Sequence, residues 1–182
     1  SIDFDNKYIV LKYMHDASHI LQVHNLKTGK FINQIDVPKY CSIEFHDSDI
    51  PNEFIYVCES FIMPKTTYSY SFKIQKSILI EKEEIKWFNK DKYILEQVFY
   101  ESKDGVIIPM YIISRSDRKK NGEEIVLLEG YGGFGTAMLP EFDWSYIAFL
   151  DLVGTSIAIP NIRGGNEYGY KWHQYGKMEY KQ

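Results

Sequence analysis

Two glycine-rich segments carry the residues whose types and spacing could do chemistry. The first, Gly130-Tyr131-Gly132-Gly133-Phe134-Gly135, follows the apolar run Ile125–Leu128. A phenol at the carboxyl end of a strand stands where open α/β sheets place their ligands, and flanking glycines let the backbone approach one. The same six residues contain G-x-G-x-x-G, the dinucleotide fingerprint. That fingerprint needs a helix to begin at once, with its N-terminus aimed at the pyrophosphate. Pro140 lies five residues past Gly135, inside the first turns of such a helix, and the helix-like run begins only near Trp144. Dinucleotide binding is therefore the weaker reading, and a glycine turn required only for backbone geometry is the plain alternative. The second segment, Asn161-Ile162-Arg163-Gly164-Gly165-Asn166-Glu167-Tyr168-Gly169, follows the apolar run Thr155–Ile159. It could present Arg163 and Glu167 as a polar pair near a cleft. Spacing alone favours a strand-end loop that needs left-handed backbone angles.

Other catalytic constellations are missing from the sequence. The nucleophile elbow G-x-S-x-G does not occur. Ser145 and Ser156 lack flanking glycines, and Ser156 falls within an apolar run. His15, His19, His24 and His46 are scattered without metal-ligand spacing, and His173 beside Trp172 reads as a packed or surface residue. Cys41 and Cys58 sit in apolar, strand-like surroundings and make no disulfide framework. A reducing, cytoplasmic setting is the simplest expectation. No metal and no cofactor are expected.

Elements must position these residues, and composition bounds what they are. The 182 residues include 21 basic and 25 acidic side chains, a net charge of −4. A nucleic-acid binder needs a concentrated basic face, and the one tight basic group, Arg118-Lys119-Lys120, reads as a solvated turn before Asn121-Gly122. Apolar runs reach four or five residues, against the roughly 20 that a membrane helix needs. The N-terminal Ser-Ile-Asp-Phe-Asp has no signal-peptide pattern, and the missing initial Met suggests a piece of something longer. The 15 Tyr, 11 Phe and 3 Trp favour strands and packed faces.

The first half reads as short strands: Lys7–Met14, Ile20–His24, Phe31–Ile35, Glu53–Cys58 and Thr67–Ile74. Breaks fall at His15–Ala17, Asn25–Gly29 and Asp47–Pro51. This is an antiparallel β architecture, equivalent to about one propeller blade or part of a sandwich. No second sequence copy is visible. The charged stretch Glu81–Glu84 marks a composition shift, and we place a domain boundary near residue 85. Beyond it, Tyr93–Glu101 and Val106–Ile113 form a hairpin across Asp104-Gly105. Ile125–Leu128 reads as a buried central strand, Trp144–Leu152 as a helix and Thr155–Ile159 as a second buried strand, giving a crossover unit in a mostly parallel sheet.

Taken in order, three stretches of residues resemble one family. They are Ser102-Lys103-Asp104-Gly105 with Ile108-Pro109-Met110; Gly130 to Phe134; and Asn161 to Gly165 with Glu167-Tyr168-Gly169, Trp172-His173 and Lys181-Gln182. Together they resemble prolyl oligopeptidase. The resemblance implies a mixed β and α/β fold: residues 1–85 as the last blade region of a β-propeller, and 86–182 as the opening part of an α/β-hydrolase domain. It implies a serine peptidase that cleaves short proline-containing peptides on the carboxyl side of proline, with no nucleic-acid or membrane partner. The family's Ser-Asp-His triad matches nothing in this sequence, so these residues alone are expected to be inactive. Tyr131 matches the family's oxyanion-hole tyrosine, and Phe134 an apolar wall of the substrate pocket. Where the family pattern has a third glycine, this chain has Asn166, which tolerates left-handed angles better than most residues. The alternative is a non-catalytic interaction module that binds a partner through the β-rich half.

Overall fold

A computed structural model describes residues 2–4, 7–46, 48, 50, 52–119 and 121–180. Ser1, Asp5, Asp47, Asp49, Pro51, Lys120, Lys181 and Gln182, which figure in the readings above, lie outside the described residues.

The first sheet is an antiparallel meander of β1 (Ile2–Phe4), β2 (Tyr8–His15), β3 (Ser18–Asn25) and β4 (Phe31–Ile35), in that spatial order. Alternating side chains bury Val10, Leu21, Val23 and Ile35 on one face. The β2–β3 turn places both Asp16 (φ 46°) and Ala17 (φ 56°) in the left-handed region. Two left-handed central residues suit the right-handed twist of a hairpin, and glycine or asparagine usually fills them.

The second sheet repeats the plan with β5 (Ser42–His46), β6 (Glu53–Ser60), β7 (Met63–Ser71) and β8 (Lys76–Lys82). Along β6 the burial alternates without a break, turning Phe54, Tyr56, Cys58 and Ser60 inward. The two meanders share one core in which Phe54 packs against Tyr56, Tyr70 and Phe72. Two four-stranded units of the same topology correct the expectation of about one blade. The repeat lies in the strand plan, while the two sets of side chains differ. β1, β5 and β8 escaped the sequence reading because β1 has only 3 residues, β5 is short and half polar and β8 is exposed along most of its length. The strand expected at Thr67–Ile74 starts earlier and stops at Ser71, where the Gln75 N–H closes a turn onto the Ser71 carbonyl at 2.8 Å.

The third sheet has the order β11-β12-β10-β9, formed by β9 (Tyr93–Glu101), β10 (Ile107–Arg115), β11 (Val126–Leu128) and β12 (Ser156–Pro160). Helix α1 (Trp144–Val153) joins β11 to β12, which lie parallel, as expected of the crossover. Asp143 caps its first turn through the Ser145 N–H, and Gly154 (φ 68°) ends it. One expectation is corrected. The other two pairings, β12–β10 and β10–β9, are antiparallel, so the sheet is mixed. Among the described residues β11 pairs with β12 alone, and Leu128 is 68% exposed. Burial belongs to β12, every residue of which is buried.

A second core forms where α1 meets this sheet, and it draws in Ala17, Phe61 and Ile62 from the meanders beside Tyr111, Ile147, Leu150 and Ile159. The β2–β3 turn is the chief polar junction. Gln97 Nε2 donates to the Asp16 carbonyl at 2.6 Å, and the Tyr111 hydroxyl lies 3.2 and 3.1 Å from the Asp16 and Ala17 carbonyls. Tyr168 Oη donates to Asp16 Oδ1 at 2.7 Å. Burial and the Asp16 carboxylate together push the Tyr168 phenol up.

Candidate functional site

Between β11 and α1, residues 129–143 form no helix or strand. The Glu129 N–H extends the parallel pairing by donating to the Ala158 carbonyl at 2.9 Å. The chain then turns at the carboxyl end of β11. Gly132 (φ 56°) is pressed against the loop after β12: a Cβ there would fall into the Ile162 side chain and within 2.6 Å of the Arg163 carbonyl oxygen. Only glycine meets both the conformation and the space. The Tyr131 ring lies over Gly133, whose added Cβ would stand 3.5 Å from Tyr131 Cζ. Phe134 adopts a left-handed φ of 54° and is 91% exposed. A bulky residue in that region is uncommon and costs free energy, which marks the turn as a place to look for function. The Tyr131 and Phe134 rings stand side by side, with centroids 6.5 Å apart. The two residues singled out in the sequence therefore share one exposed turn, with half of Tyr131 open to solvent.

The loop 161–169 supports that turn. The Gly135 N–H donates to the Gly164 carbonyl at 2.9 Å. His173, in the short helix α2 (Tyr170–Gln174), reaches the same carbonyl through Nδ1 at 2.8 Å. A carbonyl can only accept, so Nδ1 carries the proton. His173, read as a packed or surface residue, is half-buried and ties α2 to this loop. Asn161 and Glu167 are buried beneath the turn. Asn161 Nδ2 donates to the Met138 carbonyl at 2.7 Å, and the Met138 N–H donates to Glu167 Oε1 at 3.0 Å.

The suggested Arg163–Glu167 pair takes another form. Arg163 Nη1 meets Asp104 Oδ2 at 2.5 Å, linking this loop to the β9–β10 hairpin. The guanidinium holds the Asp104 carboxyl below its usual range. Glu167 faces inward. Asn166 is not among the residues of positive φ, whereas Gly164 (φ 103°) and Gly169 (φ 77°) are. The missing third glycine therefore costs the loop nothing in backbone conformation. Gly165 is constrained instead, since a Cβ there would overlap the Glu167 carboxylate. Sequence reasoning missed Met138 and the structural part of Asn161, because a contact 23 residues away leaves no periodic signal.

Two further groups prove structural. Asp151 accepts from Tyr93 Oη at 2.9 Å and from Arg115 Nη1 at 2.8 Å. Cys41 and Cys58 are buried free thiols, and the hydrogen bond that the Cys58 thiol makes to Cys41, together with burial, drives the Cys58 thiol up, away from the reactive thiolate. The dinucleotide reading finds no support, since α1 begins only at Trp144 and no helix N-terminus follows Gly135 directly. No group of three or more metal-ligating side chains occurs among the described residues. No helix among them is long and apolar enough to cross a membrane.

Comparison with known proteins agrees with this architecture. The family model for the prolyl oligopeptidase N-terminal beta-propeller domain matches residues 1–83. Prolyl oligopeptidase ophP of Omphalotus olearius is 38% identical over 178 residues, which cover 96% of this chain and 24% of the relative. A prolyl endopeptidase of Elizabethkingia miricola is 36% identical over 175 residues, with the same coverage. Among solved structures, one from a study of two prolyl endopeptidases and their inter-domain dynamics superposes with a TM-score of 0.88 at 35% identity, covering 100% of this chain and 27% of that one. Prolyl oligopeptidase B of Galerina marginata, bound to a 35mer hydrolysis and macrocyclization substrate, gives a TM-score of 0.89 at 28% identity, covering 100% of this chain and 26% of that one. The chain thus spans about a quarter of the length of the relatives it matches.

Proposed function

Since the chain belongs to the prolyl oligopeptidase family, we propose that it serves in a serine-type oligopeptidase that hydrolyses short peptides on the carboxyl side of proline. In this reading residues 1–85 close a β-propeller, and residues 86–182 open an α/β-hydrolase peptidase domain. Tyr131 donates its phenolic hydrogen to the oxyanion of the tetrahedral intermediate, and Phe134 packs against the proline ring.

The single observation that carries the reading is the turn itself. It sets a half-exposed phenol beside an almost fully exposed phenyl ring at the carboxyl end of a strand, with a left-handed Phe134. A phenol carries one O–H donor. A rigid donor acts most strongly where charge develops, in the transition state. The nucleophile and its base match no residue of this sequence. The 182 residues alone are accordingly proposed to hold oxyanion and pocket groups without hydrolysing peptides.

The test compares the complete gene product with residues 1–182, using a chromogenic peptide with proline before the scissile bond. The complete product should cleave and the segment should not. Tyr131→Phe in the complete product should lower kcat roughly 10²- to 10³-fold with KM little changed. Phe134→Ala should chiefly raise KM. A Tyr131→Phe enzyme as fast as the parent would sink the oxyanion assignment.

A further inference from the structure

The turn that carries Tyr131 has no secondary structure of its own, so something else must fix it. Met138, further along the same connection, is held by both of its backbone groups. Its N–H goes to Glu167 Oε1 at 3.0 Å, and its carbonyl takes Asn161 Nδ2 at 2.7 Å. The holding side chains are 0% and 2% exposed and touch each other, Asn161 Nδ2 lying 3.5 Å from Glu167 Oε1. Two side chains thus supply what a neighbouring strand would supply to a β-ladder. The Gly135 N–H, bonded to the Gly164 carbonyl, makes a second tie to the same loop. Tyr131 and Phe134 stand immediately ahead of these ties.

Each clamp residue keeps one buried oxygen without a hydrogen-bond partner, Asn161 Oδ1 and Glu167 Oε2. Buried polar atoms are nearly always satisfied, so two orphans in one contact need a reason. The glycine above them has the same bearing: at Gly165 any side chain would displace the Glu167 carboxylate. The site retains a buried acid, an amide and a bare glycine where an apolar plug would pack more cheaply.

We infer that Asn161 and Glu167 are positioning residues: by clamping Met138 they fix where the Tyr131 phenol and the Phe134 ring stand. The inference rests on the proposed role of Tyr131 and adds the residues that make that role geometrically possible. The geometry also separates what matters in Glu167. Glutamine keeps the acceptor for the Met138 N–H and replaces the orphaned oxygen of Glu167 with a neutral amide group.

The experiment is a double-mutant cycle in the complete gene product. Glu167→Ala should lower kcat by about tenfold or more, and should raise KM as well, because the Phe134 ring shifts with the turn. In a Tyr131→Phe background the same change should cost less than about twofold, because the group it positions is already gone. Glu167→Gln should restore kcat close to the parent value. Equal losses of kcat in both backgrounds, or a Glu167→Gln enzyme as slow as Glu167→Ala, would overturn the inference. Amide hydrogen exchange at Gly135 and Met138 reads the clamp directly and does not depend on catalysis. It should accelerate in Glu167→Ala and not in Glu167→Gln, and unchanged exchange in Glu167→Ala refutes the clamp. A Tyr131→Phe enzyme of full activity combined with accelerated exchange would uphold the clamp as a device fixing Phe134, while removing the oxyanion role.

Discussion

Replacing Gly132 by alanine tests the central argument about the turn. Two costs add at this position. The backbone sits at φ 56°, where any L-residue other than glycine is strained, at a cost of about 1–2 kcal/mol. The new methyl group would also overlap Ile162 and approach the Arg163 carbonyl oxygen to 2.6 Å. Overpacking of that kind costs about 1–3 kcal/mol. Their sum, about 2–5 kcal/mol, corresponds to a fall in Tm of roughly 4–20 °C for a chain of this size. Gly29 supplies the control. Its φ is 67°, and an added Cβ would meet nothing within 4 Å. Gly29→Ala therefore carries only the backbone cost. Urea unfolding followed by tryptophan fluorescence, with both variants measured beside the parent, isolates the steric part as the difference. Equal losses in the two variants would refute the claim that the turn is pressed against the loop after β12.

Tyr111→Phe removes the hydroxyl that serves the Asp16 and Ala17 carbonyls and should cost about 1–3 kcal/mol in urea unfolding, since acceptors at a buried junction lose their donor. Stability should also fall on acidification because of His19. Burial, assisted by Lys12, lowers its pKa from 6.5 to about 4, and its Nδ1 accepts the Ile43 N–H at 2.8 Å, which only the neutral ring can do. The unfolded chain therefore takes up the proton first: the contribution of His19 is complete above pH 6.5 and is lost as pH falls from there towards 4. Urea midpoints measured at pH 7 and pH 4.5 should separate less in His19→Asn than in the parent, because the amide oxygen can accept the same N–H without titrating.

Local patterns in the sequence recovered most of the strands. The aromatic and β-branched residues of Phe54–Cys58 pointed to β6, the Asp104-Gly105 turn exposed the β9–β10 hairpin, and the apolar run Ile157–Ile159 announced the burial of β12. Elements whose identity depends on their neighbours stayed hidden. β8 is a strand because β7 offers it a partner, and its lysines and exposed isoleucines carry no period. The site divides in the same way. Tyr131 and Phe134 lie three residues apart, so one turn brings them together and spacing reveals it. Arg163 finds Asp104 across 59 positions, and Glu167 finds Met138 across 29. Contacts of that span follow from the order of strands in the sheet, which no window of residues contains.

The left-handed turn at Asp16 and Ala17 bears on how such a chain is made. Its partners Gln97, Tyr111 and Tyr168 lie up to 152 positions downstream. The β2–β3 hairpin is a local structure and can close on its own within microseconds. Its outward-facing carbonyls and the Asp16 carboxylate must then wait for their donors to be synthesised. At roughly 5–20 residues per second, that wait is on the order of ten seconds. Throughout translation the hairpin is an unfinished joint whose strain is already present and whose fastening is not. The most distant of these donors, Tyr168, belongs to the loop that supports the candidate site.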